Sequence, residues 1–325
     1  MHGALALLPP ANVRPDSSLT QAAALRPMLA AIAVAQVVSA AVLAFVLMRT
    51  GQRLSAEFVP LALLGVLLVA LALWCRIRRL HWRLGDAATV GALFASGTLL
   101  CGLVACLALR LRLPLADELL LAADQFIGLD VRAANLAVAA SPPISAVLYQ
   151  AYDKSALMCV AVIAWHLATG SREALWRVFT TAMLAMQVTA IVCIFFPARG
   201  ATATLELGAL QGAGLPHGAG TYALGAFERF YTGSELLVRP ADLNGIVCFP
   251  SFHTVMALVL AQGFAGTPLR WPATIWAAVT IVSTVPMGGH YGSDLVGGFL
   301  VWLACAATAE SWLGGKRRLP ARPPG

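Results

Sequence analysis

The sequence contains little charge for its length. Only 11% of its 325 residues are charged, whereas 59% are hydrophobic. Soluble domains carry about 25% charged residues. The composition therefore excludes an ordinary soluble domain and predicts a polytopic membrane protein.

Lysine is nearly absent, since Lys154 and Lys316 are the only lysines among 22 basic residues. The net charge of +7 thus comes from arginine. These arginines are spread over many short loops and form no single patch, which argues against a nucleic-acid partner. The partners that this distribution favours are membrane lipids with anionic headgroups.

Paired cysteines are also lacking. The seven cysteines are odd in number, no C-x-x-C motif occurs, and most lie inside apolar runs. They are expected to be small buried hydrophobic residues. Residues 1–25 have no apolar core followed by a cleavage site, so no removable signal peptide is expected and the first apolar segment should stay as a span.

Long apolar runs are what the sequence has in abundance. They predict an all-α, polytopic membrane helix bundle with about eight spans, each long enough to cross a hydrocarbon core of about 30 Å. Two longer connections, 110–143 and 198–250, interrupt the pattern. The predicted spans are 27–48, 58–75, 88–109, 144–168, 174–197, 251–268, 271–288 and 291–313.

Basic residues predict the orientation of this bundle. Thirteen lie on one side of the membrane and eight on the other, with Lys154 inside a span. Since the richer side is expected to be cytoplasmic, both termini should lie inside and both long connections outside. The cluster at 76–79 and the basic tail at 316–325 account for most of the difference.

The 110–143 connection contains a possible amphipathic helix. Asp117 and Asp124 are seven residues apart and would lie on one side of a helix over 115–127, with leucines opposite. This pattern is typical of a helix in the membrane interface. A structural lid without chemistry is the preferred interpretation.

The segment 288–294, which reads Gly-Gly-His-Tyr-Gly-Ser-Asp, is the first candidate for chemistry. His290 and Asp294 are four residues apart and would project from one helix face. A carboxylate there can accept the Nδ1–H of the imidazole and leave Nε2 free to attack. Because an acid in a span is costly, Asp294 is a functional candidate.

The segment 249–254, which reads Phe-Pro-Ser-Phe-His-Thr, provides a complementary set. Ser251 is a good N-cap residue, and free N–H groups at a helix start bind phosphate oxygens. A hairpin of the sixth and seventh spans would bring His253 to the same membrane face as His290. One imidazole could then attack phosphorus while the other protonates the leaving oxygen.

Each feature alone has a simpler explanation. A histidine at a span end is usually an interfacial polar residue, Asp294 could pair with a neighbouring Arg or Tyr, and Pro-Ser is common at helix starts. The joint pattern, Pro-Ser-x-His followed by His-x-x-x-Asp on one face, favours a catalytic site at His253, His290 and Asp294, with Ser251 binding substrate.

The two motifs resemble those of the type 2 phosphatidic acid phosphatase superfamily. Its membrane members share a six-helix core and three motifs: Lys-x6-Arg-Pro, Pro-Ser-x-His and Ser-Arg-x5-His-x3-Asp. The resemblance covers roughly the last two thirds of the chain. Residues 245–254 and 289–291 look like the branch that includes inositolphosphorylceramide synthase and many bacterial relatives.

This resemblance implies roles for the candidate residues. His290 would be the nucleophile that forms a phosphohistidine, Asp294 would orient and charge it, and His253 would be the general acid. No metal and no cofactor are implied. The implied domains are N-terminal transmembrane helices at 1–110, a catalytic membrane domain at 111–315 and a basic cytoplasmic tail at 316–325.

The chain also departs from the family pattern. Thr284 replaces the Arg of the third motif after Ser283, and Thr232 stands where the first motif has Lys. Some cation should still offset the phosphate charge. The candidates are the outer-loop residues Arg199, Arg229 and Arg239, each equally explained as a solvated arginine, and Lys154, for which a structural pairing is at least as favoured.

We therefore expect an integral membrane lipid phosphatase, in a bacterial inner (plasma) membrane, with its active site on the extracytoplasmic side. A phosphotransferase that moves a phospho-headgroup between lipids is the alternative, because both reactions share the phosphohistidine. An alternative of another class is a non-catalytic membrane transporter or scaffold. The polar residues cluster at the outer ends of the spans, which argues against a polar path across the bilayer.

Overall fold

The computed structural model describes residues 17–78 and 80–314. Its architecture is a helical bundle, which confirms the all-α prediction. One pair of two-residue parallel strands, β1 (Arg53–Leu54) and β2 (Leu237–Val238), accompanies the helices. The α-helices are α1 (Ser17–Thr50), α2 (Phe58–Ile77), α3 (Trp82–Ala108), α4 (Asp117–Phe126), α5 (Val131–Ala139), α6 (Pro142–Asp153), α7 (Ser155–Thr169), α8 (Arg172–Phe195), α9 (Ala201–Thr204), α10 (Leu224–Thr232), α11 (Phe252–Phe264), α12 (Arg270–Gly288) and α13 (Gly292–Gly314).

Five helices of the described part of the chain are long and apolar enough to cross a membrane. They correspond to the first, second, third, fifth and eighth predicted spans. The basic tail predicted at 316–325 lies outside the described residues, as do the first 16 residues. The five helical segments are Leu25–Thr50, Phe58–Ile77, Trp82–Leu111, Arg172–Phe195 and Gly292–Trp312.

The remaining three predicted spans have a different form. The segment predicted as one span over 144–168 is divided into α6 and α7 by a turn at Lys154, whose ammonium pairs with Asp153 (2.5 Å) at the surface. The axes of α5 and α6 meet at 113°, and α6 begins with two prolines, which suit a helix start but not a helix interior. As one bent span, this pair would be a sixth crossing.

The sixth and seventh predicted spans are not among these long apolar helices. Helix α11 has only 13 residues, and α12 has 19 with Pro286 near its end. The two helices form a hairpin, and α13 returns beside α11 and α8. This arrangement puts the start of α11, the end of α12 and the start of α13 at one end of the bundle.

The opposite end of the bundle holds a partly buried ion pair. Asp86 on α3 accepts two hydrogen bonds from the guanidinium of Arg172 on α8 (2.6 and 2.9 Å) and one from the indole of Trp176 (2.9 Å). Trp312, near the end of α13, packs against the cluster that contains Met28 of α1. The described ends of the chain therefore lie at the end opposite to His290.

The connection after α3 contains the helix that the charge pattern predicts. Helix α4 has Asp117 and Asp124 buried, whereas Leu119 and Phe126 on its other side are 60% and 92% exposed. The aspartates thus face into the protein, and the exposed apolar side chains are suited to a membrane interface.

Candidate active site

His290 and Asp294 form a buried hydrogen-bonded pair. His290 follows Gly289, which ends α12 in the left-handed conformation (φ +71°), and Asp294 lies in the first turn of α13. The distance from His290 Nδ1 to Asp294 Oδ2 is 3.0 Å, and both side chains are at most 3% exposed. The i, i+4 spacing therefore produces the pairing that leaves Nε2 free.

The same carboxylate oxygen has two further donors. Cys248 donates its S–H (3.0 Å) and Tyr291 its backbone N–H (2.9 Å) to Asp294 Oδ2, while Oδ1 is buried without a hydrogen-bond partner. Burial, together with the charge of Asp294, raises the pKa of the Cys248 thiol well above its ordinary value. The thiol is therefore a protonated donor in this arrangement.

The Pro-Ser-x-His motif lies directly against this pair. Ser251 caps α11, since its Oγ accepts from Thr254 N (3.3 Å), and its own N–H donates to the backbone oxygen of Asp294 (3.0 Å). Ser251 Oγ is 3.5 Å from His290 Nε2. The first N–H groups of α11 have no partner within the helix, so this end of α11 is suited to bind an oxyanion beside Nε2.

His253 lies across from His290, with 6.1 Å between the ring centroids. Its other face stacks on the ring of Tyr152 from α6 (4.1 Å, 21°). The Tyr152 hydroxyl is 2.6 Å from that of Tyr222, which also donates to the carbonyl oxygen of Gly245 (3.3 Å). The orientation of the His253 ring is thus set by a tyrosine pair from two separate segments.

Backbone contacts hold the loop that carries His290. The carbonyl oxygen of Gly289 accepts from Ala201 N (2.7 Å), and that of Met287 accepts from Gly220 N (2.7 Å). A Cβ at Gly289 would clash with the backbone of Gly220, so the close approach requires glycine. The outer connection at 198–250 therefore packs on the loop that carries His290 and restrains it.

Two aspartates of α4 restrain the same loop from the other side. Asp117 accepts from the Tyr291 hydroxyl (2.9 Å) and from Gly200 N (3.0 Å). Asp124 accepts from the first two N–H groups of α13, Gly292 N (2.9 Å) and Ser293 N (2.6 Å). Burial raises the pKa of Tyr291, which keeps its phenol a donor to Asp117. A carboxylate at a helix start is stabilising, so α4 anchors α13.

The four candidate cations lie at the periphery of this constellation. Arg199 pairs with Glu228 (2.7 Å) and lines a small cavity with Cys248, Tyr222 and Gly288. Lys154 pairs with Asp153 beside the cavity at His253. Arg229 is an exposed residue of α10, and Arg239 is exposed and 3.9 Å from Glu57, next to the β1–β2 pair. Arg199 therefore shares a cavity with Cys248, and Lys154 is held by a residue that lines the cavity at His253.

The serine that matches the third motif bonds within its own helix. Ser283 Oγ donates to Thr280 O (2.6 Å), and Thr284 Oγ1 donates to Ile281 O (2.7 Å). Both side chains are fully buried. Thr284, where the family has Arg, therefore acts as a helix-packing residue.

Two cavities meet beside His253. One has a volume of about 350 Å³ and carries polar groups. The second, about 170 Å³, lies between α3, α7, α8 and α11 and is lined almost entirely by apolar side chains. Ala156 and Met256 line both cavities, so they are adjacent. The polar cavity is lined by Tyr149, Tyr152, Asp153, Ser155, His217, Tyr222, His253 and Met287 in addition to these two.

Sequence reasoning did not identify Tyr222 and Cys248 as part of the site. Both lie in the 198–250 connection, which has no regular periodicity. The signal for Cys248 was its place in the family-like segment 245–254, two residues before Pro250, where no role was assigned to it. For Tyr222 the sequence contains no comparable signal.

The comparisons with known proteins agree with the motif analysis at the level of the superfamily. The model of the PAP2 superfamily matches residues 118–308, which is more than half of the chain and includes both histidine motifs. No curated protein and no solved structure matches the chain.

Proposed function

Because the chain belongs to the PAP2 superfamily, we propose that it is a lipid phosphatase acting on phosphate or diphosphate lipids through a phosphohistidine intermediate. The observation that carries this proposal is the buried pair of His290 and Asp294, with Nε2 of His290 beside Ser251 and the ring of His253 nearby. The fold and composition support an integral membrane enzyme.

In the proposed first step, His290 Nε2 attacks the phosphorus atom. The new P–N bond forms as the bond from phosphorus to the lipid oxygen breaks, and His253 donates a proton to that oxygen. Asp294 accepts the Nδ1–H throughout and stabilises the positive charge that develops on the imidazole. Ser251 and the N–H groups of α11 are positioned to bind the phosphoryl oxygens.

In the second step, His253 takes a proton from a water molecule as the water oxygen bonds to phosphorus and the P–N bond breaks. Inorganic phosphate and free His290 result. Activation of the nucleophile by Asp294 and proton transfer by His253 leave no step that requires a metal ion. In place of the usual family cations, Arg199 and the backbone N–H groups at the start of α11 would offset the negative charge of the phosphate.

The adjacent cavities support a lipid as substrate. A headgroup phosphate at His253 would occupy the polar cavity, and the apolar cavity begins where that cavity ends, at Ala156 and Met256. A cavity of about 150 Å³ lined by apolar side chains binds small hydrocarbons such as benzene. The apolar cavity of about 170 Å³ therefore has room for a short stretch of one hydrocarbon chain.

Headgroup transfer between lipids is the second candidate function. The polar cavity of about 350 Å³ is lined by the hydroxyls of Tyr149, Tyr152 and Tyr222 and by Asp153. These groups could bind a polyhydroxyl acceptor, whose oxygen would replace water in the second step. The threonine at position 284 fits the inositolphosphotransferase-like branch, which supports the same alternative.

We further propose that the site faces the extracytoplasmic side of the membrane. The described chain ends and the Asp86–Arg172 pair lie at the opposite end of the bundle, as do Arg76 and Arg78 at the end of α2. The positive-inside rule makes that end cytoplasmic.

Phosphate release by the purified protein in detergent tests the proposal. The substrates are phosphatidic acid and a polyprenyl diphosphate, with added chelator and with the His290→Ala variant as control. Release that resists the chelator and is abolished by the substitution is expected. Folded protein that releases no phosphate but transfers a headgroup between lipids would support the second candidate, and failure of both reactions would favour a non-catalytic scaffold.

A further inference from the structure

Cys248, His290 and Asp294 place three metal-ligand atoms in one buried cluster. The thiol sulfur, imidazole Nδ1 and carboxylate Oδ2 all lie within 4.8 Å of one another. Within residues 17–78 and 80–314 this is the one group of three such residues that meets this distance. Thiolate, imidazole and carboxylate are the ligands that Zn²⁺ and similar soft divalent cations prefer.

Two of the three distances between the ligand atoms are close to those of a coordination site. The sulfur and Nδ1 are each 3.0 Å from Asp294 Oδ2. Ligand atoms on a tetrahedral Zn²⁺ with bonds of about 2.0–2.3 Å are about 3.5 Å apart. A widening of about half an ångström at each hydrogen bond would therefore admit the ion.

Two further features point to a cation at this place. Asp294 Oδ1 is buried and has no hydrogen-bond partner, so the carboxylate has unused capacity as an acceptor. Cys248 also lines a small cavity of about 30 Å³ together with Arg199, Gly200 and Tyr222. That volume is enough for one water molecule beside Cys248.

We infer that Cys248, His290 and Asp294 form an inhibitory site for a soft divalent cation such as Zn²⁺ or Cd²⁺. The ion forms bonds to Sγ, Nδ1 and the Asp294 carboxylate, and the two protons of the S–H and Nδ1–H groups leave to solvent. No electron is transferred, and the ion takes the place that these two protons occupied around the carboxylate.

Such an ion would block the proposed reaction at its first step. Attack by Nε2 places positive charge on the imidazole, which Asp294 stabilises only while its carboxylate is free of the metal. With a divalent cation on Nδ1, the phosphohistidine would form beside two positive charges. The metal therefore acts as an inhibitor of a reaction that does not itself use one.

Binding of Cd²⁺ tests the site without reference to activity. Full-length protein in detergent, first treated with chelator and then dialysed, is titrated with Cd²⁺ while the ultraviolet absorbance of cadmium–thiolate bonds is recorded. The wild type and Cys106→Ser, which removes another fully buried thiol, should show the same saturable band. Cys248→Ser and Cys248→Ala should lose it, and His290→Ala should weaken the affinity at least tenfold.

If the folded Cys248 variants showed the same saturable cadmium–thiolate band as the wild type, the proposed metal site would be overturned. Thermal melts of both Cys248 variants establish that they are folded. If Cys248→Ala does not fold, Cys248→Ser still serves as the test, because its hydroxyl can donate to Asp294 in place of the thiol. A band that disappears in Cys106→Ser instead would also overturn it.

The inhibition arm rests on the proposed phosphatase activity and is measured as phosphate release over a series of Zn²⁺ concentrations. The midpoint of inhibition should rise at least tenfold in Cys248→Ser relative to Cys106→Ser, and chelator should restore release in the wild type. Cd²⁺ binding at Cys248 in a protein that releases no phosphate would sustain the metal site and overturn only the proposed function. An inhibition midpoint unchanged by Cys248→Ser would overturn the inhibitory role.

Discussion

Tyr152 stacks on His253 with 4.1 Å between the ring centroids, and this contact joins α6 to the start of α11. The two helices are about 100 residues apart in the chain, and the contact orients the imidazole that faces His290. Gly288 makes it possible, because a Cβ there would lie 2.9 Å from the tyrosine ring and 2.7 Å from the ring of His290.

We predict that Tyr152→Ala lowers the kcat for phosphate release about tenfold or more, because a general acid contributes about 10²–10⁴-fold only when it is correctly positioned. Tyr152→Phe keeps the ring but removes the hydroxyl contact to Tyr222, and it should retain most of the activity. Steady-state kinetics of both variants check this. Equal losses in the two would mean that the hydroxyl, and not the stacking, is what matters.

Asp294→Asn should reduce kcat by about 10³–10⁴-fold, since an amide cannot hold the tautomer with a free Nε2 or stabilise the imidazolium. Asp153→Asn is the matched control, because that carboxylate lines the polar cavity but pairs with Lys154. A comparable decrease in the control would argue against a special role for Asp294. Single-turnover phosphate release distinguishes the two variants.

Asp124→Asn should weaken the attachment of α4 to the start of α13. The amide retains one acceptor oxygen for two N–H donors, so one buried N–H loses its partner at a cost of about 1–3 kcal/mol. We expect a lower thermal midpoint in detergent together with lower kcat. An unchanged midpoint and an unchanged rate would show that α4 does not restrain the loop that carries His290.

Asp86→Ala tests the ion pair at the other end of the bundle. The change leaves Arg172 and the Trp176 indole without their acceptor, and breaking a buried pair costs up to about 3–5 kcal/mol. Since Arg172 is 26% exposed, the lower part of that range is expected. Thermal stability should fall, while the rate per folded molecule stays the same because the pair is remote from His290. A loss of activity in fully folded protein would contradict this.

Ala182→Phe should fill part of the apolar cavity between α3, α7, α8 and α11. We expect KM for a long-chain phosphate lipid to rise several-fold, with little change for a water-soluble, short-chain phosphate ester. Ala70→Phe on the exposed face of α2 is the control, because it adds the same ring away from the cavity. Equal changes in KM for the two substrates would contradict the proposal that this cavity binds the lipid chain.

Local spacing in the sequence was enough to predict several contacts of the site. His290 and Asp294 do pair across their four-residue spacing, but His290 lies in the loop before α13 and not on the same helix face, as the sequence had suggested. Ser251 caps α11 because a serine after proline suits a helix start. The helix with Asp117 and Asp124 was also predictable from their spacing. Its bonding partners were not, since they lie more than 80 residues away in the chain.

The fourth predicted span shows where hydropathy alone is insufficient. Apolar content over 144–168 is that of a crossing, yet the chain turns at Lys154 and α5 meets α6 at 113°. A hydropathy average does not show where a helix begins or ends. Here two prolines begin α6, and the charged pair of Asp153 and Lys154 marks its end. The number of long apolar helices is therefore smaller than the eight runs suggested.

The sequence by itself determined the membrane character, the helical class, the superfamily motifs and the His290–Asp294 pairing, because each follows from composition or from spacing within one or two turns. Only the tertiary structure decided that Cys248 and Ser251 meet Asp294, that Tyr152 and Tyr222 hold His253, and that Arg239 lies beside Glu57. Those contacts join segments from separate helices and loops, and their geometry depends on how the helices pack, which no local pattern encodes.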